Sequence, residues 1–512
     1  MPLSGQSPTI LHILKNVSLF FLSALVAPLC TYIAIISRII SPFTAATKRI
    51  YRHRKWRAIS STTFQPRTIL VTGVGMSKGL FLARAFYRAG HRVIGADFEP
   101  HGVHVCGRFS VALDKFYKLL TPSAAAGSSR KYTDDLVEIV KREKVELWVS
   151  CSGVASAVED GEAAEAVEKL TKCKAIQFGV TLTKILHEKY SFMENTRNLG
   201  LNIPDTHLIT SVQNAMKFFY LTFPVEGSTQ KKYIMKSVVL DDTIRADMTL
   251  LPRPCSSETH LHLSRLNPSP SRPFVLQQFI SGPEYCTHSL IIKGQVLAFT
   301  ACRSSDLLMH YKALPSTSLI SQAMLKYTQT YAKKTGPLMT GHFSIDFLLD
   351  EFDDTPGKEL MQKIYPIECN PRAHTAIVLF ANESEDLAEA YLSIFRDHSP
   401  STPKTITLPK PSIITPSTTT GYYWVGYDLV TLVIVPFCDF ALRKIDLWTF
   451  LTFWVEFVKH VLFWRDGTFE VWDPLPAWWL YCGYWPGMFA VALMTQRWWS
   501  RCNVSTTKMF QC

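Results

Sequence analysis

Asp346, Glu368, Asn370 and Arg372 are the residues whose types and spacing invite chemistry. Asp346 interrupts the apolar run 343–349; Glu368 lies in the run 364–369, and Asn370 directly follows it. Between the runs, Asp353, Asp354, Thr355, Pro356 and Gly357 read as the loop of a hairpin. Side chains alternate along a strand, so Glu368 and Asn370 share a face, and an antiparallel neighbour can bring Asp346 to it. Three hard oxygen donors on rigid strands suit Mg2+ (or Mn2+), which favours one or two carboxylates plus substrate phosphates. Arg372 adds a fixed cation beside them. Taken singly, each residue is also an ordinary surface or turn residue. The apolar setting of both carboxylates favours the metal, because buried carboxylates need a partner.

The elements that must position this cluster belong to a chain of 512 residues, room for two to four domains. It is 47% hydrophobic and 19% charged, between soluble and membrane-associated compositions. The net charge of +12 concentrates at Lys48, Arg49, Arg52, Arg54, Lys55 and Arg57, next to 22 uncharged residues at 16–37. That run is long enough to cross a hydrocarbon core of about 30 Å. Basic residues on its C-terminal side predict a transmembrane anchor over residues 1–64, with the catalytic region cytosolic; a buried pair of helices broken at Pro28 is the alternative. No zinc-finger, RNA-recognition or helix-turn-helix pattern accompanies the charge, so membrane topology explains it better than nucleic acid. The 12 cysteines include no C-x-x-C pair, which speaks against a zinc site and a secreted disulfide framework. Cys369 should face away from Glu368 and Asn370, into the core.

Residues 65–180 alternate strand and helix and predict one doubly wound, Rossmann-like unit. Gly73, Gly75 and Gly79 are spaced as in a dinucleotide-binding turn, with Asp97 near the position of a ribose-binding acid. No Tyr-x-x-x-Lys follows, so the turn faces a substrate or nothing, and an NAD(P)-dependent reductase stands as an alternative. A second architecture, residues 181–395, begins with a helix near Lys189. Strand-rich segments follow, carrying Lys236, the run Gln277, Gln278, Phe279 and Ile280, and Glu284. Arg303 closes the last strand before a helix at 319–334 and the carboxylate hairpin. In an apolar strand Lys236 can also snorkel to the surface, and Glu284 and Arg303 can also be turn and strand-end residues.

In this order the chain resembles the ATP-grasp superfamily, in which two α+β lobes clamp ATP and activate a carboxylate as an acyl phosphate. The motifs are E-K-x-x-F at 188–192, L-G-x-x-I-P at 199–204, Y-I-M-K ending at Lys236, and S-G-P-E-Y at 281–285. The resemblance implies that Lys189 opens the grasp and Lys236 contacts the ATP phosphates. By the same resemblance Gln277 to Ile280 face adenine, Glu284 holds the ribose, Asp346, Glu368 and Asn370 hold magnesium, and Arg372 stands by the transferred phosphoryl group. Two features depart from the pattern: the hinge begins Gln-Gln where many members carry an acid, and no glycine-rich flap follows Lys236. The stretches 236–252 and 466–481 are similar to a narrower branch, ligases of mycosporine-type biosynthesis that join an amino acid to a cyclohexenone, with Arg245 as a phosphate or carboxylate contact.

Residues 396–512 begin with a Ser/Thr/Pro linker or covering strand and continue in three apolar stretches, 422–442, 447–464 and 474–496. Asp428, Asp439, Glu456 and Lys459 fit interfacial helices better than spans. The third stretch is uncharged for 23 residues and rich in Trp, Pro and Gly, which suits a membrane interface or a buried domain helix. The expected protein is a membrane-anchored ligase that uses ATP and Mg2+ to join a small-molecule carboxylate or cyclohexenone-like substrate to an amino acid or amine, without nucleic acid. A catalytically silent membrane scaffold is the remaining alternative.

Overall fold

Short aliphatic strands alternating with amphipathic helices close into a parallel sheet: β1 (Thr68–Thr72), β2 (Arg92–Phe98), β3 (Lys115–Leu119), β4 (Leu147–Val149) and β5 (Lys174–Ile176), in the order β3-β2-β1-β4-β5. β1 and β4 read as continuous apolar runs because helices cover both faces of the sheet. The computed structural model describes residues 3, 5–60, 64–122, 128–151, 153, 156–222, 231–238, 247–304, 309–351, 359–396 and 412–512.

Two antiparallel sheets follow. The smaller comprises β6 (Thr206–Ile209), β7 (Tyr233–Ser237) and β8 (Phe274–Gln278), in the order β6-β8-β7. Helices Val212–Thr222 and Ser256–Leu266 cover it through Phe219, Leu263 and Leu266, which pack with Tyr233, Met235 and Phe274. The larger comprises β9 (Glu284–Ile292), β10 (Gln295–Arg303), β11 (Gly341–Leu349) and β12 (Ile364–Asn370), in the order β10-β9-β11-β12. Tyr327 and Tyr331 of helix Leu319–Thr335 seat on Phe347 and Phe343, ring centroids 5.2 and 4.9 Å apart. Ile345, Phe347 and Cys369 face this core, so Cys369 points away from the carboxylates as its parity predicted. On the opposite face, β11 and β12 carry the polar Ser344, Asp346, Glu368 and Asn370, and Leu290 of β9 packs into a second core.

The boundary expected near residue 180 is not a boundary in packing. Ile69, Val71 and Val149 of the parallel sheet share one core with Leu290, Ile377, Phe380 and Tyr391. Nor are residues 412–512 an appendage. Tyr422–Tyr423 pairs with Arg465–Asp466 and bridges to Tyr311. Trp424 is fully buried and donates to Ser77 Oγ at 2.9 Å. Asp473 accepts from Arg84 Nε (2.8 Å), Ser110 Oγ (2.6 Å) and the Val111 amide (3.0 Å), a buried clasp between the C-terminal region and the parallel sheet's first helix.

The N-terminal helix Thr9–Ile40 is long and apolar enough to cross a membrane, and its most apolar stretch is hardly buried. It packs antiparallel on the helical segment 475–495, and both of its ends are held. Near its start His12 stacks on Trp498, and Asn16 Oδ1 accepts from Trp499 Nε1 at 3.0 Å. Toward its end Thr31 Oγ1 accepts from Trp478 Nε1 at 2.9 Å. Of the basic cluster in the following helix, Ala45–Ser60, two side chains turn onto the body: Arg54 lies over the Tyr87 ring, and Arg57 donates to Ala89 O (3.1 Å) and pairs with Glu389. Lys48, Arg49, Arg52 and Lys55 stay exposed.

Candidate active site

The polar face of the β11–β12 pair carries the predicted cluster. Asp346 lies opposite Glu368, and Ser344 opposite Asn370, in antiparallel register with a bulge after Asp346. Asp346 is buried; its Oδ2 accepts from Asn370 Nδ2 at 3.2 Å, and its Oδ1 is buried with no hydrogen-bond partner among the described residues. Desolvation, and then the neighbouring Glu368, Cys286 and Glu284, push the Asp346 carboxyl well above the usual carboxylate range. A buried carboxyl group beside a second one is neutralised either by a proton held on Asp346 or by a bound cation. The donor set of Asp346, Glu368 and the Asn370 amide fits Mg2+.

Cations surround the cluster. Lys189, at the start of helix Lys189–Asn198, places Nζ 4.0 Å from Glu368 Oε2. Glu188 caps that helix by accepting from the amides of Tyr190 and Ser191, which sets the direction in which Lys189 leaves the backbone. Arg372 donates to Asn370 Oδ1 at 2.7 Å, held by a tight turn in which its own amide donates to Asn370 O at 2.8 Å. From the smaller sheet, Lys236 donates to Gln277 Oε1 at 2.7 Å. Glu284, where the two sheets meet, has its carboxyl pushed up by desolvation and by Glu368, with Ser304 and Lys236 opposing. Glu284 thus feels both Lys236 and Glu368, and Asp346 feels both acids. Along the hinge Gln277 and Ile280 are buried, the Gln278 amide donates to Asp205 O (2.8 Å), and the Phe279 amide donates to Lys232 O (2.7 Å).

Other expected residues are not brought there. Arg303 pairs in register with Tyr285, whose ring belongs to the core of Phe347 and Ile345, so strand parity turns it from the carboxylate face. Arg245 lies outside the described residues. The glycine turn is not open to a dinucleotide. Asp97 is buried and accepts from the Gly75 amide (2.6 Å) and the Phe98 amide (2.7 Å), leaving it turned inward where a ribose would need it outward. At Gly73 φ is 75°, and a Cβ on Gly79 would stand 2.3 Å from the Gly73 carbonyl oxygen, so these glycines serve close packing. The helix start that would meet a pyrophosphate is occupied: the Ser77 amide donates to Ser505 O at 2.9 Å.

That same turn instead supplies Lys78, a residue the motif reading passed over. It is buried and donates to Ala373 O at 2.8 Å, one residue beyond Arg372. Desolvation and Arg372 lower its pKa to about 7, with Cys151, Asp160 and Asp97 opposing. Beside it burial keeps three imidazoles neutral: His342 and His374 are held down to about 3, and His288 lies well below its ordinary value. His288 Nδ1 accepts from the His374 amide at 3.3 Å, and its Nε2 is buried without a hydrogen-bond partner among the described residues. The sequence signal was a lone lysine between Ser77 and Gly79, in a motif scored only for its glycines.

No family model and no curated protein matches this sequence. Among solved structures, the chain is similar to an L-amino acid ligase of Bacillus licheniformis, at 15% identity and a TM-score of 0.41 over 64% of this chain and 71% of that one. It is also similar to the N5-carboxyaminoimidazole synthetase of Staphylococcus aureus solved with ADP (11%, 0.43, 64% and 77%) and to a phosphoribosylglycinamide synthetase of Anaerococcus prevotii (15%, 0.44, 64% and 76%).

Proposed function

We propose that this protein is an ATP-dependent ligase of the ATP-grasp type that activates a carboxylate and joins it to an amine. The observation that carries the reading is the buried Oδ1 of Asp346, without a hydrogen-bond partner among the described residues, set across the hairpin from Glu368, with Lys189 beside Glu368 and Arg372 on Asn370. Mg2+ held by Asp346, Glu368 and Asn370 would neutralise phosphate charge. Lys236 binds the phosphates, and Glu284 receives the ribose. Arg372, fixed by Asn370, faces the transferred phosphoryl group. The substrate carboxylate oxygen attacks the γ-phosphorus and ADP leaves; the amine then attacks the acyl carbon and phosphate leaves. With little covalent chemistry left to the protein, positioning and charge neutralisation are its work. Lys78, which the lowered pKa leaves able to give up its proton near neutrality, is held against Ala373 next to Arg372, where it would act on a substrate carboxylate or incoming amine. The mycosporine-type branch gains no support, since residues 466–481 serve the Asp473 clasp and Arg245 lies outside the described residues.

We read the catalytic body as resting on a membrane. The stripe of the first helix that faces the protein is polar or small, with His12, Asn16, Ala34 and Ser37 buried. Its outward stripe is apolar: Phe21, Leu25, Leu29, Tyr32 and Ile39 are each at least 60% exposed. Helix Leu447–Phe463 repeats the inversion, burying His460 and exposing Leu447, Trp448, Val455 and Leu462. An inverted pattern supports lipid contact. Because both ends of the first helix are held on the same body, an in-plane helix accounts for these contacts better than a crossing one, and the exposed Lys48, Arg49, Arg52 and Lys55 suit anionic headgroups.

The ligase reading is tested by incubating purified protein with ATP, Mg2+, small molecules from cell extract and hydroxylamine. An acyl phosphate is captured as a hydroxamate with stoichiometric ADP. A protein that neither binds ATP nor forms ADP under these conditions refutes the proposal and leaves the silent scaffold.

A further inference from the structure

A second constellation of chemistry-bearing side chains lies outside this site, where the loop after β10 meets the helices of residues 425–463. His310 from the loop, Asp428 from one helix and His460 from the other present ligand atoms that all lie within 4.8 Å of one another. His310 Nε2 is 2.8 Å from Asp428 Oδ1, and His460 Nδ1 is 2.6 Å from Asp428 Oδ2. Asp428 is fully buried and His460 nearly so, enclosed by Trp464, whose ring centroid is 4.3 Å from that of His460, and by Tyr423 and Tyr427. His460 Nε2 in turn meets Glu456 Oε1 at 3.1 Å.

A proton count singles out His460. A neutral imidazole carries one N–H, yet both nitrogens of His460 face carboxylate oxygens, which only accept. If the single N–H of a neutral His460 points at Glu456 Oε1, which also accepts from Lys459 Nζ at 3.1 Å, Nδ1 turns its lone pair to the side of Asp428 and His310, where a metal ion would take it. The second carboxylate favours the metal: a ligating imidazole regularly gives its other N–H to an outer carboxylate, and Glu456 stands in that position for a His460 that ligates through Nδ1. Two imidazoles with one carboxylate are the donors of a first-row divalent ion such as Zn2+, and differ from the all-oxygen set at Asp346.

We propose that His310, Asp428 and His460 bind a first-row divalent transition metal, with Glu456 orienting His460, in a site separate from the Mg2+ cluster. The metal staples the helices of residues 425–463 to the loop that carries Tyr311. Tyr311 ladders with Tyr422, and its ring lies 5.7 Å from His374 and 5.8 Å from Trp424. The staple thus connects the apolar outer helix to the back of the site around Arg372 and His374.

The test is titration of the full-length, chelator-treated protein with Co2+ alone, read by visible ligand-field absorption and equilibrium dialysis, followed by displacement with Zn2+. One equivalent is expected to give a nitrogen-ligand spectrum that Zn2+ abolishes, apart from any Co2+ held by the oxygen donors at Asp346. Glu456→Gln, at a half-exposed position, should weaken binding about 10–100-fold, the range for losing an outer-sphere partner. His310→Gln and His460→Gln should remove binding, while Glu368→Gln leaves it unchanged. Absence of the Co2+ spectrum in the unaltered protein overturns the proposal and leaves a hydrogen-bonded triad; so does binding that survives undiminished in both histidine variants. None of these readouts requires turnover, so the outcome is independent of the ligase reading.

Discussion

Replacing Glu368 by glutamine separates a metal cluster from a structural pair of acids, because the two readings predict opposite changes in stability. Two carboxylates in contact at an effective dielectric near 20 repel by about 4 kcal/mol, so in the metal-free protein one of them keeps its proton. Asp346 is that group, its pKa raised by desolvation first and by Glu368 next. A carboxyl raised in the folded state contributes stability that is fully present below its unfolded pKa of about 3.9 and is lost as pH rises through the folded value. Metal-free protein should therefore lose stability as pH rises from about 4 toward neutrality. Mg2+ should restore it, by about 2.7 kcal/mol at a hundredfold excess over its Kd. Glu368→Gln removes one cause of the raised pKa while keeping the shape. Its metal-free Tm at neutral pH should equal or exceed that of the parent, its Mg2+-dependent gain should shrink, and ADP formation should fall on the order of 10² to 10³, the scale for losing a stabiliser of developing charge. Thermal scans from pH 4 to pH 8 with and without Mg2+, beside an ADP assay at saturating substrate, check all three. A folded variant with normal ADP formation, or one less stable than the parent without metal, would refute the reasoning.

Lys236→Ala leaves Gln277 Oε1 without the donor now at 2.7 Å, and removes a charged hydrogen bond to phosphate. It should weaken ATP binding by about 1.5–3 kcal/mol, at least tenfold in Kd by calorimetry; unchanged affinity would take Lys236 out of the site. Asp473→Ala strands the buried Arg84 and should cost about 3–5 kcal/mol in denaturant unfolding, whereas Asp114→Ala, which breaks an exposed pair with Arg92, should cost less than about 1 kcal/mol. Comparable losses would show that the clasp is not integral to the fold. Glycosylation sequons placed before Ser7 and after Cys512 should both stay unmodified in cells, since both termini lie on the body that carries the basic cluster. Modification of the first alone would show that the N-terminal helix crosses the bilayer.

What could be read in advance was what short-range pattern controls. Strand parity alone put Asp346, Glu368 and Asn370 on one face and Cys369 on the other, because a period of two leaves no freedom once the hairpin closes. The same rule turns Arg303 away from that face, because it shares the parity of Tyr285; charge alone does not carry that information. Asp97 stood at the right distance from the glycines, yet spacing does not say which way a side chain turns, and the Gly75 amide turned it inward. Lys78 was hidden for another reason. Its importance comes from Ala373 and Arg372, which only the folded chain brings near.

The apolar segments teach the most about what composition leaves out. Length and hydropathy mark 16–37 as long and apolar enough to cross a membrane and leave 474–496 between interfacial and buried, because both measures average around the helix and discard direction. Direction was nevertheless written in the few polar residues. His12, Asn16 and Ser37 recur on one stripe of the first helix, and His460 marks the inner side of helix Leu447–Phe463. In a helix of a water-soluble body such residues would face out. Here each turns toward protein: Asn16 meets Trp499, His12 meets Trp498, and His460 meets Asp428. A polar group surrounded by lipid lacks a partner, so a sparse polar stripe on an otherwise apolar helix points to its protein neighbours, and the opposite stripe to the bilayer. Read that way, the inner stripes of the two helices are the ones that hold the Trp498–Trp499 contact and the His460 cluster.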